Sequence, residues 1–342
     1  MIAAAIAVAA LTRGPAAESV APRSAIISFR TAQPVHAFVT LSNGARFDAG
    51  GGPAHVARLL RLEPGKHYAY RVETRAGALA DGRFRTAPAR AGTFTFAVVG
   101  DFGSGNGNET AVASMIASWR PDFVLTVGDN AYPSGSSALL HRDIFEPYAA
   151  VMRASAWFPA LGNHDVDAGD GQPELDAFHS PGNERWYRFA WGNAHIVVLD
   201  SDSSVAPGSP QLRFARRALA ERACFRFAAW HHPAWEPPGA TISPGLRRTI
   251  VPLVEKTGVQ VVFNGHLHAY ARSRPRRGVL YVTVGTGGAE LSDDARALTI
   301  PSARVVQGLF GALRVDVTGR TARFRYETVD GETRDEFRVG CS

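Results

Sequence analysis

Five short blocks along the chain place metal-binding side chains directly after apolar runs. They are Gly100-Asp101-Phe102-Gly103, Gly128-Asp129-Asn130-Ala131-Tyr132, Gly162-Asn163-His164-Asp165, His231-His232-Pro233 and Gly265-His266-Leu267-His268. Of the chain's 11 histidines, the last three blocks hold His164, His231, His232, His266 and His268. Carboxylate, amide, phenol and imidazole gathered in this way suit two metal ions a few ångströms apart, joined by a bridging carboxylate. Asp129 is the expected bridge. Asp101, His268 and the phenolate of Tyr132 would complete one ion; Asn163, His231 and His266 would complete the other. The first set suits a hard trivalent ion and the second a divalent one. Two such ions lower the pKa of bound water and hold the oxygens of a phosphoryl group for in-line displacement. Beside Asn163, His164 is expected to contact the phosphate or protonate a leaving group, and Asp165 to orient His164. His232 is expected as a substrate contact or a hydrogen-bonded neighbour of His231.

Each residue also has an ordinary reading. Asp101 and Asp129 suit turns and helix N-caps. Asn163 suits a left-handed turn, Tyr132 an interface, and His231 and His232 a packed core. His36, His55, His67, His141, His179 and His195 lie outside any such block and read as structural. What separates the two readings is that five blocks recur at the ends of strand-like runs.

Those runs define the scaffold. Residues 93–99, 123–127, 195–199, 224–230 and 259–263 are apolar and rich in β-branched and aromatic side chains, as buried strands are. Helical periodicity falls between them, over residues 111–120, 137–153 (broken near Pro147), 211–222 and 246–257. Further strands are expected at 281–285, 309–317 and 322–328. This alternation implies an α/β domain over residues 93–340, with ligands collecting at the carboxyl ends of its strands.

Residues 19–88 carry only β signals: runs at 24–30, 36–42, 67–74 and 81–86, separated by turn residues such as Asn43-Gly44 and Pro64-Gly65. A small all-β sandwich is expected there, and the stretch LRLEPGKHYAYRVET resembles a fibronectin type III domain, with Tyr68 and Tyr70 as core and corner residues. Residues 1–18 read as an export leader: an apolar run too short to span a bilayer, with a small-residue cleavage zone near Ala16 and Ala17. The alternative is a disordered N-terminus of a cytoplasmic protein. Export would also allow Cys224 and Cys341 to pair; the other reading is two unrelated thiols.

The chain is basic, with net charge +6. The positive charge is nearly all arginine and is spread throughout, so nucleic-acid binding is not expected. The densest run, RSRPRR at 272–277, is expected to be a solvated loop that attracts anionic substrates.

Taken together, GDFG, GDNAY, GNHD, the first histidine of AWHHP and GHLHAYAR resemble the five ordered blocks of calcineurin-like metallophosphoesterases, over residues 93–286. Tyr132 narrows the resemblance to the purple acid phosphatases. It implies an α/β sandwich of two mixed sheets flanked by helices, preceded by a small all-β fibronectin type III-like domain. It also implies a dinuclear centre of Fe(III) with Fe(II), Zn(II) or Mn(II), and hydrolysis of small phosphomonoesters. Ala228 stands where that family usually has valine, at a position that packs rather than reacts. No histidine cluster like that of the plant enzymes is evident, His232 being the nearest substitute. Two other functions fit the same residues: phosphodiester or nucleotide hydrolysis, with loops 167–185 and 201–210 forming the pocket, or a non-catalytic surface-binding protein.

Overall fold

A computed structural model of the chain describes residues 10–235, 245–292 and 298–341. Its strands are β1 (Leu11–Glu18), β2 (Ser24–Thr31), β3 (Ala37–Leu41), β4 (Arg46–Gly50), β5 (Ala54–Leu60), β6 (His67–Thr74), β7 (Gly77–Arg85), β8 (Thr93–Val99), β9 (Phe123–Thr126), β10 (Ala156–Phe158), β11 (Tyr187–Trp191), β12 (Ala194–Val198), β13 (Phe225–Ala229), β14 (Val261–Asn264), β15 (Tyr270–Ser273), β16 (Leu280–Val284), β17 (Ser302–Val306), β18 (Gly311–Thr318), β19 (Thr321–Thr328) and β20 (Thr333–Gly340). A nine-stranded sheet runs β20-β19-β18-β8-β9-β10-β1-β2-β5, and a seven-stranded sheet runs β11-β12-β13-β14-β16-β15-β17. Both are mixed. Parallel pairing joins β8, β9 and β10 in the first, and β12, β13, β14 and β16 in the second.

The two sheets pack face to face, and the alternation of side chains along each strand serves two cores at once. On β8, Phe94, Phe96 and Val98 enter the core between the sheets, while Ala97 and Val99 face outward. There they meet Val112 and Ile116 of the helix Gly107–Trp119. On β14, Val261 and Phe263 face inward, and Val262 packs under Leu212, Ala215 and Val254 from the helices Pro210–Ala218 and Val251–Thr257. Aromatic rings close the inner layer: Phe158 stacks on Phe189 at 3.8 Å between centroids, and Phe96 meets Phe263 edge-on at 6.3 Å. Burial on both faces is the reason these strands read as unbroken apolar runs.

All four helical stretches depart from their expected limits: 137–153 forms two short helices, Ser137–Leu140 and Ala149–Met152, around a π-helical turn at His141–Phe145, and the helix expected to reach 222 ends at Ala218. Asn106 caps the first, its side chain accepting from Glu109 N, so that helix starts at Gly107. The stretch 246–257 divides into a π-helical turn, Leu246–Ile250, and an α-helix that carries Pro252 in its first turn.

The N-terminal strands require a correction. They form, as expected, but they do not stand apart. β1, β2 and β5 extend the nine-stranded sheet, with Ala17 opposite Ala156 and Glu18 opposite Trp157 in a parallel β1–β10 pair. β4-β3-β6-β7 forms a second layer over them, and Ile27, Phe29 and Leu59 share one core with Val39, Tyr70 and Phe84. Tyr68 takes the corner role: its hydroxyl accepts from Glu63 N at 2.9 Å. Ala16 and Ala17, expected at a cleavage zone, are fully buried in β1; residues 1–9 of the expected leader lie outside the described residues. Among the described residues no helix is long and apolar enough to cross a membrane.

The run at 272–277 is corrected as well. Arg272 belongs to β15 and pairs with Asp335 at 2.7 Å, and Arg276 pairs with Glu255 at 2.8 Å, so much of its charge is neutralised within the fold.

Cys224 and Cys341 form a disulfide across 117 residues of sequence, tying the end of β20 to the start of β13. In the chain-entropy view, closing a loop of roughly 100 residues contributes about 4.7 kcal/mol. Cys224→Ser is expected to lower stability by about 2–5 kcal/mol in denaturant titration. An unchanged unfolding midpoint would show that the bridge contributes nothing.

Candidate metal centre

The residues of all five blocks meet where the parallel strands of both sheets end. β8, β9, β13 and β14 deliver their blocks at their carboxyl ends, and the block at Gly162 follows β10 after a short connection. The backbone is strained there. Asp101, Asp129 and His266 hold left-handed φ values of +57°, +51° and +69°. Such conformations cost about 1–3 kcal/mol each and persist where the surroundings fix them. Here Asp101 N donates to the Gly128 carbonyl at 3.0 Å, and His266 N donates to the Asp101 carboxylate at 3.0 Å. Gly162 must be glycine for a different reason: a Cβ there would lie 2.3 Å from Asp129 Oδ1.

Asp129 is the centre of the cluster. Its Oδ2 lies 3.3 Å from His231 Nε2 and 3.0 Å from the Tyr132 hydroxyl, and its Oδ1 accepts from His164 N at 2.9 Å. On one side, Asp101 Oδ1 stands 3.3 Å from His268 Nε2 and 3.3 Å from the Tyr132 hydroxyl, which is 3.1 Å from His268 Nε2. On the other, Asn163 Oδ1 lies 3.1 Å from His231 Nε2 and 3.0 Å from His266 Nδ1. Two triads result, Asp101–Asp129–His268 and Asp129–His231–His266, each with its ligand atoms within 4.8 Å of one another.

These donors fit metal ions. Atoms about 2.0–2.2 Å from a common ion lie within roughly 4.4 Å of each other, close to the spread seen here. The ring nitrogens turned away from the centre are anchored: His231 Nδ1 to the Val127 carbonyl at 2.8 Å, and His268 Nδ1 to the Glu290 carbonyl. Carbonyl partners of this kind fix the tautomer and aim of a ligating imidazole. The electrostatics agree. Burial opposes charge on Asp129, but His231 and His164 outweigh it and hold the carboxyl below its usual range. Burial likewise opposes charge on His231, and Asp129 outweighs it, raising the imidazole to about 10. Burial, then the charges of Asp101 and Asp129, push the Tyr132 phenol far above its ordinary value. A phenol set between two carboxylates becomes an anion only if a cation joins them.

The expected partner of His164 is corrected. Asp165 does not orient that ring; His164 Nδ1 lies 2.8 Å from the Pro133 carbonyl, and its side chain keeps 34% of its surface exposed. The fully buried carboxylate of Asp165 instead accepts from Gly162 N at 2.8 Å, Asn130 N at 2.9 Å and Asn130 Nδ2 at 3.0 Å. It thereby locks the GDNAY block to the GNHD block. Glu174 completes this support by accepting from Asn130 Nδ2 at 2.9 Å. Burial first, then the Asp165 charge, hold Glu174 well above its normal carboxyl value. Nothing about a single glutamate on a short helix marks it in sequence for this position.

His232 borders the centre, its ring centroid 4.4 Å from that of His266. Its Nδ1 lies 2.9 Å from Ser201 Oγ and 3.5 Å from Asp202 Oδ2, in the loop after β12 that was expected to shape the pocket.

The fold is of the metallophosphoesterase type, two facing mixed sheets with their ligand-bearing loops at one end. The chain belongs to the calcineurin-like phosphoesterase family, whose model matches residues 94–270, more than half of its 342 residues. It is 26% identical over 287 residues to purple acid phosphatase 15 of Arabidopsis thaliana, covering 69% of this chain and 54% of that protein. It is 24% identical over 242 residues to probable purple acid phosphatase 20 of the same plant, covering 60% and 54%. The chain thus spans about half the length of these curated relatives. Among solved structures, purple acid phosphatase PPD1 from yellow lupin seeds superposes with a TM-score of 0.83 at 18% identity, over 96% of this chain and 74% of that one. The structure of PhoD superposes at 0.79 and 16% identity, over 99% and 92%.

Proposed function

We propose that this protein is a dinuclear metal-dependent hydrolase of small phosphate esters, acting as an acid phosphatase on monoesters. The observation that carries this reading is the pair of triads sharing Asp129, with the Tyr132 hydroxyl set among Asp101, Asp129 and His268. Asp101, Asp129, Tyr132 and His268 would hold Fe(III), and Asp129, Asn163, His231 and His266 a divalent iron, zinc or manganese. When bound, the ions supply Lewis acidity toward a phosphoryl oxygen and lower the pKa of water.

The chain's own residues do the rest. Asp165 and Glu174, through Asn130, hold two of the blocks in register. His164 is exposed at the rim with Nδ1 engaged by Pro133, which leaves Nε2 to meet the ester and pass a proton to its leaving oxygen. His232, held by Ser201, supports a contact to the substrate. The disulfide supports export to an oxidising compartment. The layering of β1-β2-β5 on β4-β3-β6-β7, with its tyrosine corner, supports a fibronectin type III-like N-terminal part.

The test combines metal analysis with hydrolysis of a phosphomonoester and a phosphodiester across pH. Two metals per chain and faster monoester turnover are expected; metal-free protein with full activity would overturn the reading. Metal-loaded protein that turns over neither ester would favour a non-catalytic binding role. Tyr132→Phe tests the iron assignment: the wild-type protein should be coloured, and the variant should lose its visible band. Colourless, active, iron-free wild-type protein would point to a plain divalent centre instead.

A further inference from the structure

The N-terminal strands carry a feature that the metal centre does not use. Arg13 on β1 and Arg30 on β2 are direct cross-strand partners. Like charges facing each other across a ladder destabilise it, and among the described residues no carboxylate pairs with either guanidinium. Arg13 is the more constrained. Its Nη2 donates to Ser28 Oγ at 3.3 Å, its guanidinium lies 4.3 Å over the Phe145 ring, and its buried Nε has no hydrogen-bond partner. Burial acts first against its charge, the nearby Glu18 carboxylate supports it, and Arg30 opposes it again.

Both arginines open onto a cleft of about 440 Å³, lined also by Ser137, His141 and Phe145. The volume lies within the range of small-molecule sites. His141 and Phe145 bound a π-helical turn, a distortion often found at functional positions. Asp176 is the carboxylate on the lining; it is exposed and accepts from Gln172 Nε2 at 2.7 Å. His141 Nε2 lies 3.4 Å from Glu146 Oε1. The cleft shares no lining residue with the metal centre.

We propose that this cleft is a second anion site, which binds a compact tetrahedral oxyanion such as inorganic phosphate between Arg13 and Arg30. Guanidinium groups match such oxygens in a planar fork, and the face of Phe145 holds one fork in a fixed plane. The anion would neutralise the cross-strand repulsion between Arg13 and Arg30, with the Ser137 hydroxyl available as a neutral partner. It would therefore join β1 and β2 to the 137–145 segment.

The experiment is calorimetric titration of the full, metal-loaded chain with inorganic phosphate, repeated with sulfate. Two phosphates per chain are expected. His266→Ala should remove the one at the metals and leave the other. Arg30→Glu, at an exposed position, should weaken the second site about tenfold or more and leave monoester turnover within about twofold. Arg13→Gln, whose folding is checked by thermal melting, should do the same. The proposal is overturned if wild-type protein has no site that survives His266→Ala, or if Arg30→Glu and folded Arg13→Gln both retain that site at wild-type affinity.

Discussion

Asp129→Asn is expected to empty both metal positions and to lower ester turnover by about 10³-fold or more, since metal ions supply several kcal/mol of transition-state stabilisation at about 1.4 kcal/mol per decade. The two triads have only this carboxylate in common. An amide keeps the shape and the hydrogen bond from His164 N, but it removes the charge that lifts His231 to about 10 and that both triads share. Loss at this one position should therefore exceed loss at His268, which belongs to a single triad. Metal analysis of the purified variant is the check. Two ions per chain with near wild-type turnover would remove Asp129 from the bridging role, and loss of one ion alone would restrict it to one triad.

The second large effect is expected at His164. His164→Ala should lower turnover by about 10²–10⁴-fold, the usual range for a positioned proton donor, while leaving both ions in place. The reason is geometric. The residue's backbone amide, which any side chain keeps, binds Asp129, while its ring lies at the rim with Nε2 4.0 Å from Asp129 Oδ2. The loss should be smaller for an ester with a good leaving group, which needs less protonation. A ring that acted only by packing on Tyr132, at 4.5 Å between centroids, would show no such dependence on the leaving group. Unchanged turnover with both esters would take His164 out of the reaction.

Much of the centre was legible because its residues are tied to local chain geometry. A strand end followed by a glycine and a polar group is a local pattern, and the runs before Asp101, Asp129, His231 and His266 do form β8, β9, β13 and β14. The grouping of Asp101 with His268, and of His231 with His266, could be expected from chemistry, and the structure brings the same groups together. Support from residues without a local pattern could not be expected. Glu174 reaches Asn130 across 44 residues, and Glu290 offers His268 only a backbone carbonyl. Asp165 was misread because adjacency in sequence suggested His164, whereas the helical turn at Asn163–Val166 points its carboxylate at buried backbone amides.

The N-terminal strands show the same division. Period-2 patterning located β3 and β6, because each buries one face, while β1, β4 and β5 were not expected. Nothing in that pattern says which edge joins which sheet, so β1 read as a leader and the sandwich as a separate body. The sequence by itself determined the strand ends and the donors they carry, since both follow from side-chain period and residue chemistry over a few positions. Only the tertiary structure decided that β1 docks on β10, that Arg13 faces Arg30 beside an open cleft, and that five blocks spread over 168 residues, from Asp101 to His268, meet around Asp129. Those outcomes depend on which long-range pairings bury the most apolar surface, a property of the whole chain rather than of any one stretch of it.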